Sequence, residues 1–587
     1  MAIKNYIGLA CTGHDNALAI VNSKGKVVFA EATERYLQNK RAIGALPDDL
    51  VRIGMLIDEY CEPNADIVVS KSWSNEAVAT LDTEYQEMGE YLDLMAGRKA
   101  SPSAQFMMHR LQDYRHILDF FKSNVEQSGM HIQHVLGTGF GVREKRDVEM
   151  RQYNHHLTHA ATAAYTSPYD EAAVAIIDGF GEGTSCSFYK YENGKIIDVE
   201  TPPGNMKWSL GSLYVNLTGL CGFEHWKGEE WKVMGLAPYG KINPEIHELL
   251  RRYIKIDGLQ IVCPADSAAA LVELYDRFSI QPGQKPLEMA DLAHTGQQVF
   301  AELAGELLQN FHSKTDCPNL VLGGGCGLNS TWNGQIVDQT SFESLHVYSA
   351  PADDGNAMGA ALLAYYEDNP PSAAPAVSHS PYLGSTVIGE SLDNLKRFSR
   401  HPNMRSGLSQ SEVTQATAKL LSEGKIVGWV QGRAEFGPRS LGNRSILADP
   451  RAPEMKDKIN AGVKFREEFR PFAPSILHEY GEEYFENYQF TPYMERTLNF
   501  RPEVYDKPPA VVHENGSGRL QSVTKELNPM YHELISEFNK LTGVPIVLNT
   551  SFNIMGKPII HSVEDAVSVF HTTGLDVLVI EDVIIEK

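Results

Sequence analysis

The sequence predicts an α/β protein in two parts, a duplicated N-terminal domain followed by a separate α/β unit. Three observations carry this. A pattern of strand, turn and strand, YIGLACTGHDNALAIVNSKGKVVFAE from Tyr6, recurs as VAIIDGFGEGTSCSFYKYENGKIIDVE from Val174, about 170 residues on. In each copy an apolar strand enters a small polar turn and returns, and a Gly-Lys turn then leads to a third strand, at Lys24-Gly25-Lys26 and Asn193-Gly194-Lys195. Residues 368–381, DNPPSAAPAVSHSP, break the pattern with the aperiodic Pro, Ala and Ser composition of a linker. A fresh alternation of helix and strand begins after it. The boundaries expected are 1–368, a linker at 369–390, and 391–587.

In chain order, residues 78–130 have helical composition with few β-branched side chains. LVLGGGCGLNS (320–330) is an apolar strand running into Gly323, Gly324 and Gly325, where the missing Cβ lets backbone amides approach a ligand; tight strand-to-helix turns use glycine equally. APADDGNAMGAALLAYY (350–366) is a loop with paired acids feeding a small-residue helix. In the second part SQSEVTQATAKLLSEG reads as a helix capped by Ser409 and stopped by Gly424. KIVGWVQG (425–432) is a buried strand, and VPIVLNTSFN (544–553) is a strand ending in a polar loop.

The 587 residues leave room for three or four units of ~100–200 residues. With 42% hydrophobic and 22% charged residues, wholesale disorder is excluded. The 52 basic residues against 75 acidic give −23, which argues against a surface that tracks nucleic acid or anionic lipid. No window reaches the ~18 apolar residues of a membrane span. MAIKNYIGLACTGHD meets a His-Asp pair too early for a signal peptide. Seven cysteines with no CxxC pair suit a reducing compartment, so the expected location is cytoplasmic.

The densest chemistry is in NHHLTHA (154–160). On a helix His155 and His159 lie one turn apart on one face, a spacing for two imidazoles on one metal, while His156 points elsewhere. A zinc-protease HExxH fails, because His156 stands where Glu is required. Carboxylates ending strands are the natural further ligands: Asp178 in IIDGFGEG, and Asp354 in PADDG with Asp353 competing. Either could instead cap a helix. Two His and two Asp suit Fe²⁺, Mn²⁺ or Zn²⁺ better than Mg²⁺. His14, beside Asp15 in the first turn, is a general base, a phosphate donor or a turn residue without a role. Lys40 in ERYLQNKRA is functional only if the fold turns it inward.

Residues 431–470 reverse the sign of the chain. Nine cations (Arg433, Arg439, Arg444, Arg451, Lys456, Lys458, Lys464, Arg466 and Arg470) face six acids there. Several adjoin Gly or Pro, as in EFGPRSLGNRSI and KFREEFRPFAP, which places them in loops where guanidinium forks grip phosphate oxygens. Loops at GSGRLQSV and NTSFN add Arg519, Asn549 and Ser551, the last as a hydrogen-bond donor, since no histidine is near it in sequence. No Walker A or GxGxxG pattern precedes a helix.

In order and spacing, HDNALAIV, ERYLQNK, HHLTHA, IIDGFGEG, WSLGSLY, EEWKVMGLA, LGGGCGLNS, ADDGNAMGAA, EFGPRSLGNRSILADPR, FREEFRPFAPSI and NTSFNIMGKPI resemble the O-carbamoyltransferase family of nodulation-factor, cephem and tobramycin carbamoyltransferases. The resemblance implies an actin-like N-terminal domain with a metal, similar to the universal tRNA threonylcarbamoyl-transfer protein (TsaD-like), and a YrdC-like C-terminal domain. It implies that ATP, carried with Mg²⁺, and carbamoyl phosphate form carbamoyl adenylate in the second domain. An acceptor hydroxyl of a natural product, such as an antibiotic, then takes the carbamoyl group in the first.

Carried over by motif, Arg439, Lys464, Arg470, Arg519, Asn549 and Ser551 would hold carbamoyl phosphate and ATP. His155, His159, Asp178 and Asp354 would hold the metal, with iron ahead of manganese or zinc. His14 and Lys40 would line the transfer site, and Gly323, Gly324, Gly325 and Asn329 would face the adenylate. The expected partner is a small-molecule alcohol, with neither nucleic acid nor membrane, and a homodimer is the default assembly. The competing classes are an actin-like sugar kinase or ATPase and a threonylcarbamoyl-tRNA-type transferase. Residues 74–143 match no family motif.

Overall fold

The computed structural model describes residues 3–81, 83, 86, 119–204, 208–371 and 380–587. Most of the 78–130 stretch expected to be helical, and 372–379 of the expected linker, lie outside the described residues. By internal contacts the chain forms two units. One comprises Met1–Thr33, Arg41–Leu328 and Gln335–His379; the other comprises Glu34–Lys40, Asn329–Gly334 and Ser380–Lys587.

The first unit holds two five-stranded sheets. In one, β1 (Lys4–Ala10), β2 (Ala17–Val21), β3 (Val27–Ala32), β4 (Asp66–Lys71) and β5 (Val148–Gln152) take the order β3-β2-β1-β4-β5. β1 runs antiparallel to β2 and parallel to β4, which is parallel to β5. In the other, β6 (Glu171–Gly181), β7 (Thr184–Glu192) and β8 (Lys195–Glu200) form the antiparallel meander. A small hairpin of β9 (Lys255–Asp257) and β10 (Gln260–Val262) stands apart. β11 (Asn319–Gly323) and β12 (Ser344–Val347) then join in parallel, giving β12-β11-β6-β7-β8. The second sheet thus repeats the first strand for strand, and this is the duplicated α/β architecture expected. β2 is buried along its whole length and β6 over Ala172–Asp178, which is why they read as unbroken apolar runs.

Each fifth strand leads into a helix, β5 into α1 (His155–Tyr165) and β12 into α2 (Asn356–Asp368). The two helices touch where a Cβ on Gly359 would stand 1.9 Å from the Thr158 carbonyl oxygen, so only glycine permits the approach. This contact holds the N-terminal turn of α1 near the turn that precedes α2, where the candidate ligands lie.

The second unit is built on one mixed sheet of β13 (Met404–Arg405), β14 (Val427–Val430), β15 (Arg444–Ala448), β16 (Ala473–Leu477), β17 (Arg496–Asn499), β18 (Ser517–Val523), β19 (Ile546–Ser551), β20 (Val577–Ile580) and β21 (Val583–Glu586). Its order is β13-β21-β20-β14-β15-β19-β16-β18-β17. The helix α3 (Gln410–Ser422) starts at a Ser409–Glu412 capping box, and Gly424 follows it with φ of 80°. Residues 383–387, inside the expected linker boundary 369–390, pack into this unit. Leu383 and Val387 are buried, and the carbonyls of Leu383, Gly384 and Ser385 accept from Arg433 and Arg444. Backbone oxygens make those contacts, and composition cannot display them. Arg519 lies on β18, and Asn549 and Ser551 on β19, rather than in loops. Among the described residues no helix is long and apolar enough to cross a membrane.

Candidate functional site

At the start of α1 the Asn154 side chain accepts from the Leu157 amide at 3.1 Å and fixes the first turn. His155 and His159 then face the same way, with their Nε2 atoms 3.2 Å apart. Asp178 Oδ2, on β6, stands 3.4 Å from His155 Nε2 and 3.3 Å from His159 Nε2. Asp353 Oδ1, in the turn before α2, stands 3.6 and 3.4 Å from the same nitrogens. One donor from each of these four residues lies within 4.8 Å of the others.

Two imidazole nitrogens aimed at one another and flanked by two carboxylates fit a divalent transition ion. Proton equilibria show the same preference for positive charge. Burial opposes ionisation of His159, yet Asp178 and Asp353 raise it to about 9. Burial likewise opposes the Asp178 carboxylate, and His155 and His159 nonetheless hold it well below the usual carboxylate range. The outer contacts orient the ligands. Asp178 Oδ1 accepts from the amides of Gly179 at 2.7 Å and Gly325 at 3.0 Å, and the His155 Nδ1 meets Asn356 Nδ2 at 3.3 Å.

The carboxylate that completes the cluster is therefore Asp353, the competing choice in sequence, and this corrects the expected Asp354. Both occupy one turn of 3-10 helix, Asp353–Gly355, and Asp354 Oδ1 accepts from the Gly355 amide at 3.0 Å. Neighbouring residues on a tight turn point differently, and sequence does not tell which faces inward. His156 binds Ser187 Oγ at 2.8 Å, away from the cluster. The glycine triplet steers a ligand: Gly324 takes φ of 88°, and a Cβ on Gly325 would lie 2.9 Å from Asp178 Oδ1. Gly323 ends β11, and Asn329 accepts from the Trp332 amide at 3.1 Å to cap a short helix within the second unit.

His14 adjoins the cluster. Its Nδ1 lies 2.9 Å from Asp15 Oδ2 and 3.6 Å from Asp353 Oδ2, so Asp353 faces the histidine pair with one oxygen and His14 with the other. Arg41 donates to Asp15 Oδ2 from Nε at 3.1 Å and Nη2 at 2.8 Å, and to the His225 carbonyl at 3.1 Å. Burial would raise the Asp15 carboxyl, but Arg41 and His14 hold it well below the usual range. Sequence pointed to Lys40. The cation that reaches this pair is its neighbour Arg41, and Lys40 belongs to a segment of the second unit. Two adjacent cations in NKRA gave no signal to separate them.

Five cations gather in the second unit. Lys464 is buried, and among the described residues its ammonium donates to neutral oxygens: the Ser551 carbonyl, Ser551 Oγ at 3.2 Å, the Asn553 carbonyl at 3.1 Å and Asn553 Oδ1 at 2.6 Å. Burial, with Arg466 and Arg470 beside it, pushes Lys464 well below its ordinary value. Arg466 donates to Asn460 Oδ1 at 2.7 Å and lies 4.4 Å over the Phe472 ring. Arg470 meets Glu467 at 3.4 Å. Burial lowers Arg439 to about 10. Burial together with Arg439, Arg466 and Arg470 depresses Arg519, whose buried Nε has no hydrogen-bond partner among the described residues. Cations packed this closely repel one another, an arrangement that suits a polyanion.

Arg433, Arg444 and Arg451 of the 431–470 window serve the scaffold. Arg444 is fully buried, and donates to the carbonyls of Gln431 at 2.8 Å and of Asn443, Ser385 and Gly432 at 3.0 Å. Arg433 binds two carbonyls and Arg451 binds Asp449. Asn549 is also spent internally: its Nδ2 contacts the Ser440 carbonyl at 3.2 Å, Ser475 Oγ at 3.0 Å and Gln521 Oε1 at 3.2 Å. It joins three strands instead of facing a ligand. Arg466 and Asn553 also meet Lys464; sequence reasoning has them in its cation window and in NTSFN but does not single them out as site residues.

Comparison with known proteins covers both sites. The profile for the carbamoyltransferase N-terminus matches residues 5–362, which include the histidine-aspartate cluster, and that for the carbamoyltransferase C-terminus matches 418–587, which include all five cations. An uncharacterized protein of Methanocaldococcus jannaschii is 30% identical over 98% of this chain and 98% of its own. Nodulation protein NolO of Bradyrhizobium diazoefficiens is 36% identical over 74% of this chain and 79% of its own. Nodulation protein U of Sinorhizobium fredii is 28% identical over 93% of each. With the two profiles matched over residues 5–362 and 418–587, most of its length, the chain belongs to the carbamoyltransferase family and is a transferase.

Proposed function

We propose that the chain is an ATP-dependent O-carbamoyltransferase that works through carbamoyl adenylate and delivers the carbamoyl group to the hydroxyl of a small-molecule natural product. The observation that carries this is the group of five mutually repelling cations in a protein of net charge −23. Such a group suits two phosphorylated substrates at once, ATP with its Mg²⁺ and carbamoyl phosphate.

In the first half-reaction water takes the phosphoryl group from carbamoyl phosphate, releasing phosphate and carbamate. A carbamate oxygen then attacks the α-phosphorus of ATP, and the bond to the β-phosphate oxygen breaks to release pyrophosphate. Arg439, Lys464, Arg466, Arg470 and Arg519 would neutralise the charge that accumulates on the phosphoryl oxygens. In the second half-reaction the acceptor oxygen bonds to the carbamoyl carbon and AMP leaves.

In the transfer step His14 binds Asp15 through Nδ1, which leaves Nε2 to take the acceptor proton. Asp15, held by Arg41, fixes the imidazole orientation. His155, His159, Asp178 and Asp353 would hold a divalent ion, iron ahead of manganese or zinc, whose chemistry there is Lewis-acid polarisation of the carbamoyl oxygen.

The test incubates the protein with ATP, carbamoyl phosphate and a panel of hydroxylated metabolites. Pyrophosphate formation that depends on carbamoyl phosphate, with a carbamoylated alcohol as product, supports the reading. ADP formation overturns it in favour of phosphotransfer.

A further inference from the structure

Resting on the metal reading above, we infer that Glu182 sets the affinity of the histidine-aspartate cluster for its metal without touching the ion. α1 presents both imidazoles from its first two turns, and a helix N-terminus carries partial positive charge that disfavours a nearby cation. The first turn of α1 contains no acidic residue. The compensating charge comes from the β6–β7 turn. Glu182 Oε1 accepts from the His155 amide at 3.0 Å and the Ser74 amide at 2.9 Å. Its Oε2 accepts from Ser74 Oγ at 3.0 Å and Asn154 Nδ2 at 3.1 Å. One carboxylate thus binds the first amide of the ligand helix, that helix's cap residue, and the segment after β4.

The backbone points to the same role. Glu182 and Gly183 take φ of 51° and 84° between the paired residues Gly181 and Thr184. The next turn of the same sheet, at Asn193-Gly194, takes φ of 51° and 81° with the residue pair that such turns favour. A glutamate in the left-handed region is the strained choice where asparagine is available, and the residue gained by that strain is a carboxylate at the start of α1. Glu182 is a positioning residue: it anchors the His155 end of the helix and offsets the helix charge facing the ion.

The experiment uses full-length wild type, E182Q and E182N, stripped of metal and titrated with Zn²⁺ against a chromophoric chelator, with thermal midpoints of the metal-free proteins recorded in parallel. E182Q keeps an acceptor oxygen and removes the charge; E182N installs the favoured turn. The expected result is Zn²⁺ affinity at least ~10-fold weaker in both, with metal-free midpoints equal to or above wild type. Wild-type affinity in E182Q overturns the inference and leaves the metal reading intact. A metal-free midpoint that falls in both variants, in step with affinity, also overturns it and assigns Glu182 to the fold. Failure of the wild type to bind Zn²⁺ overturns the metal reading and the inference together.

Discussion

Replacing Asp353 by asparagine separates the two aspartates of one turn. Asp353 Oδ1 stands 3.6 and 3.4 Å from the nitrogens of His155 and His159, so an ion shared among these donors lies closer to the carboxylate than ~4 Å. Unit charges ~4 Å apart interact by ~4 kcal/mol at an effective dielectric of ~20. That is a floor for a divalent ion, and at ~1.4 kcal/mol per tenfold D353N should weaken its binding by about 10³-fold or more. D354N has a different consequence. The Asp354 oxygen accepts from the Gly355 amide at 3.0 Å, a bond that an asparagine oxygen also makes, so its affinity should stay within a few-fold of wild type. Chelator competition with Zn²⁺, paired with the metal-to-protein ratio of the purified proteins, reads both. Loss of metal from D354N with retention in D353N would refute the geometry and return the ligand to Asp354.

Three further outcomes follow from the same structure. Lys464→Met removes a buried ammonium from the anion site and should reduce carbamoyl-phosphate-dependent pyrophosphate release by ~10²-fold or more, while Zn²⁺ affinity is unchanged. Burial and the neighbouring arginines hold Lys464 well below its ordinary value, so a bound anion raises it and draws in a proton. Sulfate, which does not itself titrate near neutrality, should therefore bind more tightly as pH falls. Calorimetry in buffers of different ionisation enthalpy should show net proton uptake, and K464M should abolish the uptake. Arg41→Met releases the Asp15 carboxyl from the partner that keeps it low; Asp15 then protonates at higher pH, and the acid limb of carbamoyl transfer should move upward. An unshifted limb in the pH–rate profile would remove Asp15 from the transfer step.

The parts of this protein that sequence displays are the local ones. The duplicated meander shows because its strands are buried runs and its turns are short, as in β6 and Asn193-Gly194. The pairing of His155 with His159 shows because four residues on a helix define a face. What sequence hides is decided by segments far along the chain. Arg444 and Arg439 look alike in EFGPRSLGNRSI, yet Arg444 is caged by carbonyls that include Ser385, 59 residues away. Asn549 reads as a loop amide and is instead consumed by Ser440, 109 residues away. At the shortest range the differences are of one residue: Asp353, next to Asp354, faces the histidines, and Arg41, next to Lys40, meets Asp15.

Net charge, the coarsest sequence quantity, becomes informative only when divided between the units. In the first, Asp178 and Asp353 raise His159 against burial, and the histidine pair holds Asp178 below the usual carboxylate range against burial. In the second, burial and then the neighbouring cations depress Lys464 and Arg519. A site that stabilises added positive charge and a site that stabilises added negative charge are both incomplete alone, and each contributes to folding stability once its ion is bound. Metal should therefore protect the first unit against heat, and phosphate-type anions the second. A two-transition melt in which each ligand moved both transitions equally would show that the charge division between units is not what governs their stability.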